Sequence, residues 1–190
     1  QGGHGDYTFD TMRLAEMTPF WASVAFLLAL FGFGAKAGLV PMHVWLPEAH
    51  PAAPSPVSAL MSGVMLKTAI YGLLRVTFDL LNIQIGWWGT LALALGLVTA
   101  LYGVIFAAVQ SDMKRLLAWS SIENIGILLA AFGLTLIFTT DGKGALAALT
   151  LTALLYHALN HAFFKGLLFV GTGSVLHATG ARHMAHLGGL

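Results

Sequence analysis

Five apolar stretches run through this chain, over residues 20–46, 57–80, 86–109, 116–138 and 145–177. Each is long enough to cross a hydrocarbon layer, which takes about 20 residues of helix. No other feature restricts the fold as strongly, because every backbone N–H and C=O inside lipid must be bonded within the protein, and a helix does this within each segment. The links between the stretches are short: HPAAPSP, LLNIQ, QSDMKR and TTDGK. Links of that length make successive helices antiparallel neighbours. Composition agrees, since 57% of the 190 residues are hydrophobic and 9% charged, where soluble domains carry about a quarter charged residues. The expected fold class is an all-α membrane protein of about five transmembrane helices, seated in a lipid bilayer.

The charges exclude several function classes. Nine basic and eight acidic residues leave a net charge of +1, and neither sign forms a block that would bind nucleic acid. The absence of cysteine removes disulfides, thiolate metal sites and the usual ligands of iron–sulfur clusters from this segment. Residues 1–19 read as a polar leading segment or surface helix bearing Asp6, Asp10, Arg13 and Glu16, with Thr18 and Pro19 as the start signal of the first long helix. The opening QGGHGDYTFDTM has neither an initiator Met nor a basic leader region, and HLGGL closes the chain directly behind an apolar segment. An internal piece of a longer protein is therefore expected. Lys114, Arg115 and Arg182 fall on one side of the helical zigzag, Arg13 and Lys143 on the other, which makes the first side cytoplasmic by the positive-inside bias. Gly89, Gly96 and Gly103 recur every seven residues and predict a bare helix face that admits a close neighbour.

Against this apolar background a few ionisable groups stand out. Lys36 lies five residues before Pro41, whose ring and missing N–H should break the first helix and free backbone groups at membrane depth. Such breaks survive only where protein or a wet cavity serves the backbone. Lys67 sits ten residues into the second stretch, too deep to reach an interface, so it must face the bundle interior or water. Arg75 can reach the interface and is expected to be structural. Glu123 follows Ser120 and Ser121 and precedes Asn124; it reads equally as a relay member and as a hydrogen-bonded structural group.

The fifth stretch contains YHALNHAFFK, in which His157, His161 and Lys165 are spaced by four and share one helix face. Three proton-holding groups in one line point to a proton relay. The HxxxH spacing would also suit zinc, but no glutamate intervenes and Lys165 would repel a cation on that face. His177, His183 and His186 lie at or beyond the end of this helix, where a solvated role is the default. Desolvation brings a buried amine toward neutral pH by as much as about 3 to 5 units. Moving one charge against 100 mV costs about 2.3 kcal/mol, so rearranged ion pairs can drive the step. No covalent chemistry is needed, and no catalytic centre is expected in the segment.

Three blocks carry a family resemblance: KAGLVPMHVWLPEAHPAAPSPVSALMSGVMLKTAIYGLLR, SDMKRLLAWSSIENIG and HALNHAFFKGLLFVGTGSVLHATGAR. Over residues 20–182 the chain resembles the antiporter-like proton-channel subunits of respiratory complex I, sodium/proton antiporter complexes and membrane-bound hydrogenases. SSIENIG and SGVMLKTAIYGLLR are most similar to the branch of hydrogenase-4 component B and formate hydrogenlyase subunit 3. The resemblance implies a fragment of a larger inverted-repeat bundle, incomplete at both ends, with residues 183–190 opening the next segment. It likens Lys36 to the broken-helix lysine of the first repeat and Lys67 to the lysine of the following helix. Lys165, with His157 and His161, is similar to the central relay of the second repeat. It further implies a proton-translocating subunit in a prokaryotic cytoplasmic membrane, with other membrane subunits and a peripheral redox arm as partners. No cofactor is expected in this segment; iron–sulfur clusters and a nickel–iron centre would belong to partner subunits. Alternatives are a quinone-oxidoreductase or sodium/proton antiporter subunit, an intramembrane metal enzyme using His157 and His161, and a scaffold that merely retains the lysines.

Overall fold

The computed structural model describes residues 8–81 and 83–188, so Asp6 lies outside the described residues. Every named element among them is helical. A short surface helix, α1 (Phe9–Leu14), precedes the first span, α2 (Pro19–Ala37), with Thr18 as N-cap and Pro19 in the first turn. The expected helix over 20–46 is divided. Pro41 would clash with the carbonyl of residue 37, and α2 ends at Ala37, where Gly38 takes the left-handed conformation at φ 81°. A short helix, α3 (Trp45–Ala52), resumes beyond the break.

The backbone groups released there are recovered locally, as lipid depth demands. Gly38 and Leu39 N–H both donate to Gly34 O at 2.9 Å. The Trp45 indole reaches back to Ala35 O at 3.0 Å, and Val40 N–H donates to the buried Thr99 hydroxyl at 3.3 Å.

The second span, Ser55–Leu80, is continuous but not uniform. It runs as α4 (Ser55–Leu60), a π-helical turn (Met61–Met65), α5 (Leu66–Arg75) and a second π-helical turn (Val76–Leu80). Wide turns of this kind re-aim the side chains around them, and the first stands immediately before Lys67. The remaining spans are α6 (Gly86–Ala108), α7 (Met113–Thr140) and α8 (Gly144–Thr179), followed by a 3₁₀ turn at Met184–His186. At 36 residues, α8 is roughly 54 Å long, more than a hydrocarbon core requires. His177 accordingly lies within this helix.

Helices α6 and α7 form the tightest pair. A Cβ on Gly96 would stand 2.5 Å from Ala130 N, and one on Gly103 would stand 2.5 Å from Glu123 N. The glycine stripe expected on α6 is thus a true contact face, and α7 answers it with its own Gly126 and Gly133. Trp88, fully buried, stacks on Phe26 of α2 at 4.6 Å and ties α6 to the first span.

Charge clasps close both ends of the bundle. Asp112 caps α7 by accepting from Lys114 N and Arg115 N, and it pairs with Arg182 at 3.0 Å. Arg115 meets Glu48 at 2.8 Å, while Lys114 and Arg182 donate to Ala53 O and Pro51 O at the C-terminal end of α3. Cations suit that position because the last carbonyls of a helix carry partial negative charge. Lys114 is therefore a buried strut, 4% exposed. At the opposite end Asp79 pairs with Arg75 and Arg13, each at 2.9 Å. Arg75 is structural, as expected.

Candidate functional site

The inner face of α8 carries the expected line. His161 and Lys165 are buried to 0% and 1% exposure, and His157, one turn earlier, is half-buried. Spacing by four places them on one stripe, which continues to the fully buried Phe169. The stripe packs against α7 and the α4–α5 span, where Gly63 lets the helices approach. A Cβ there would lie 3.3 Å from Ala162 O.

Each group in the line has a distinct setting. His157 Nε2 meets Asn124 Oδ1 at 3.0 Å. The Asn124 amide donates to Ser120 O at 2.8 Å, and an amide oxygen only accepts, so His157 donates through Nε2–H. His161 stacks beside His157 with ring centroids 6.2 Å apart and meets the edge of Phe164 at 5.0 Å. Neither of its ring nitrogens has a hydrogen-bond partner among the described residues. A buried imidazole with both nitrogens uncommitted can accept a proton on one and release it from the other. Lys165 Nζ donates to Leu117 O at 3.3 Å.

Lys67 is half-buried, beside a groove of about 350 Å³ between α5 and α8 lined by Gly63, Tyr71, Ala158 and Ala162. Its amine donates to Ser62 O across the π-helical turn. Glu123 is half-buried on α7 and accepts from the Ser120 hydroxyl at 3.2 Å. Lys36 lies apart from this assembly. It is exposed near the end of α2 and makes no hydrogen bond or ion pair among the described residues. Among the described residues no three His, Asp or Glu side chains converge as metal ligands would.

Two buried histidines at and beyond the break were not singled out by the sequence, and one of them, His50, joins the α8 stripe. His43 is 7% exposed and lies against Tyr102 and Trp119, at 5.1 and 5.3 Å. Burial lowers its affinity for a proton. His50, on α3, is fully buried with both ring nitrogens unpaired, and it stacks on Phe169 at 4.7 Å, one turn beyond Lys165 on the α8 stripe. Burial, then the charges of Lys165 and Lys114, push its pKa down to about 4. A histidine closely following a predicted break was the available signal.

His50 therefore yields a pH prediction. The exposed imidazole titrates near 6.5 and the buried one near 4, so the unfolded chain binds more protons between these values and stability rises with pH. The contribution of the seated, neutral ring is complete above about pH 6.5 and is lost as pH falls toward about 4. Thermal unfolding of the full-length protein between pH 7.5 and 4.5 should show that decline. His50→Phe, which keeps the stack, should flatten it.

The sequence and the fold are similar to those of known proteins. Hydrogenase-4 component B of Escherichia coli (strain K12) is 49% identical over 189 residues, 98% of this chain and 28% of that protein. Formate hydrogenlyase subunit 3 of the same strain is 42% identical over 179 residues, 94% of this chain and 29% of that one. Among solved structures, the membrane-bound sulfane sulfur reductase, an archaeal respiratory membrane complex, superposes with a TM-score of 0.80 at 27% identity, covering 96% of this chain and 36% of the matched one. The chain thus spans little more than a quarter of the length of these curated relatives. The family described as NADH:quinone oxidoreductase/Mrp antiporter, TM, matches residues 3–190, and the chain belongs to it.

Proposed function

We propose that the full-length protein is the proton-translocating membrane subunit of a hydrogenase- or formate hydrogenlyase-type complex. The observation that carries this is the basic line of His157, His161 and Lys165 on the inner face of α8, with Lys67 across a groove from it and His50 extending it. Buried amines and imidazoles with few partners can exchange protons at modest cost, and a movement in a neighbouring subunit can tip their occupancy. Lys36, exposed on this segment, would act against a carboxylate supplied by the rest of the polypeptide. The protein would sit in a prokaryotic cytoplasmic membrane with the Lys114, Arg115 and Arg182 end inside. Its partners would be other membrane subunits and a peripheral redox arm, and iron–sulfur and nickel–iron centres would reside in those partners.

The test is Lys67→Met in the full-length protein within its complex, reconstituted in vesicles. Redox-driven proton uptake should stop while the subunit still assembles, and unchanged uptake would remove Lys67 from the mechanism. The family also includes Mrp antiporters, which supports a second reading as a sodium/proton antiporter subunit. Uptake that requires sodium would favour it.

A further inference from the structure

Two amines of the bundle end on backbone carbonyls, the half-buried Lys67 on α5 and the buried Lys165 on α8. Lys67 Nζ donates to Ser62 O, and Lys165 Nζ donates to Leu117 O at 3.3 Å. Between them lie two hydroxyls, Ser62 and Ser121, each 0% exposed, with their oxygens 2.7 Å apart. Ser121 Oγ also donates to Leu117 O, at 2.8 Å. A hydroxyl has one hydrogen. With that of Ser121 spent on Leu117, the 2.7 Å bond is donated by Ser62. Hydrogen bonds thus run from the Ser62 hydroxyl through Ser121 and the Leu117 carbonyl to Lys165, while Lys67 holds the backbone carbonyl of the same Ser62 and so sits beside the start of that run. The π-helical turn at Met61–Met65 contains Ser62 and ends just before α5.

The same two oxygens can be bonded in the opposite sense, with Ser121 donating to Ser62, because hydroxyl hydrogens rotate. Which sense is favoured depends on the charges at either end, and dipoles respond strongly to charge in a low-dielectric interior. A proton on Lys67 favours the Ser62 hydrogen turned away from it, toward Ser121. A proton on Lys165 favours the Ser121 hydrogen turned toward Ser62, which leaves Leu117 O to the ammonium alone. We propose that the Ser62–Ser121 pair is a two-position hydroxyl bridge that couples the proton occupancy of Lys67 to that of Lys165, making both serines positioning residues for proton transfer. This rests on the translocation function proposed above. Backbone carbonyls do not pass protons along, so the bridge transmits orientation, while the protons themselves travel on the titratable groups of the same interior, including His157, His161 and Glu123.

The test uses the full-length protein in its intact complex, in vesicles carrying an internal pH dye. Ser62→Ala and Ser121→Ala should each slow redox-driven uptake about three- to tenfold, the range to which one neutral hydrogen bond corresponds. The double variant should be no slower than either single one, because one missing oxygen already opens the bridge. Threonine at either site should restore the rate. The pH profile of uptake should shift in the alanine variants and return with threonine. A pair that only held helices together would change the amount of assembled complex and leave that profile in place, which would overturn the bridge. If Lys67→Met stops uptake while both alanine variants pump at the unaltered rate and profile, the bridge is overturned and the translocation function stands. If Lys67→Met pumps normally, the bridge falls, since Lys67 then has no part in transfer, while translocation stands on the uptake itself; absence of redox-driven uptake in the unaltered complex would overturn the translocation function. Should Ser62→Ala prevent assembly, Ser121→Ala against Ser121→Thr decides on the same readouts.

Discussion

Lys165→Met in the full-length protein should abolish redox-driven proton uptake without lowering the amount of assembled subunit. Lys165 is 1% exposed on the inner stripe of α8, and its amine donates to Leu117 O, its one hydrogen-bond acceptor among the described residues. Methionine nearly matches its length and volume but cannot hold a proton. Replacing a buried charged group by an apolar one of similar shape is often neutral or stabilising, so the scaffold should tolerate the change. The proposed relay should not, because the α8 stripe would lose the amine that stands between His161 and Phe169. Membrane content by immunoblot measures assembly, and acidification of vesicles measures transfer. Uptake at the unaltered rate would mean that the α8 line is ornamental and that protons cross elsewhere.

Gly96→Leu should have an equally large effect for the opposite reason, removing the subunit from the membrane instead of silencing it. At Gly96 a single added carbon would already come within 2.5 Å of Ala130 N and 2.7 Å of Gly126 O. Both obstacles are backbone, so no rotamer change relieves them. The helices must separate, and α7 carries Ser121, Glu123, Asn124 and the Leu117 carbonyl. Overpacking a core typically costs about 1 to 3 kcal/mol and can cost more where backbone must move. Association in lipid depends on this close packing, since burial of apolar surface adds little there. The expected result is near-complete loss of assembled protein. Gly32→Leu, at a position where an added Cβ meets nothing within 4 Å, serves as the control that should assemble normally.

The translocation readouts in these experiments bear on the whole polypeptide, of which this chain is a part: it covers 28% of hydrogenase-4 component B. That proportion gives physical sense to the exposed faces. Only 11% of the α8 span is buried within this segment, and Lys36 faces away from it. A helix so open within one fragment has most of its surface left for lipid or further protein.

The membrane class, the number of spans and the break near Pro41 were legible in the residues because each follows from local rules. Uninterrupted apolar length, a missing N–H at proline and glycine at a fixed spacing leave the same marks in any tertiary setting. The alignment of His157, His161 and Lys165 was equally readable, since helical periodicity alone puts them on one face. What faces that line could not be read in the same way. His50 lies 115 residues before Lys165 in sequence, yet its ring stacks on Phe169 because α3 folds back after the break and is clasped there by Arg115, Lys114 and Arg182. The partnership of Ser62 with Ser121 depends likewise on a π-helical turn and on the close approach of two spans. Local chemistry determined which groups this chain holds in the membrane; only packing between distant segments decided which of them meet, because a hydrogen bond is set by ångströms that no one-dimensional spacing specifies.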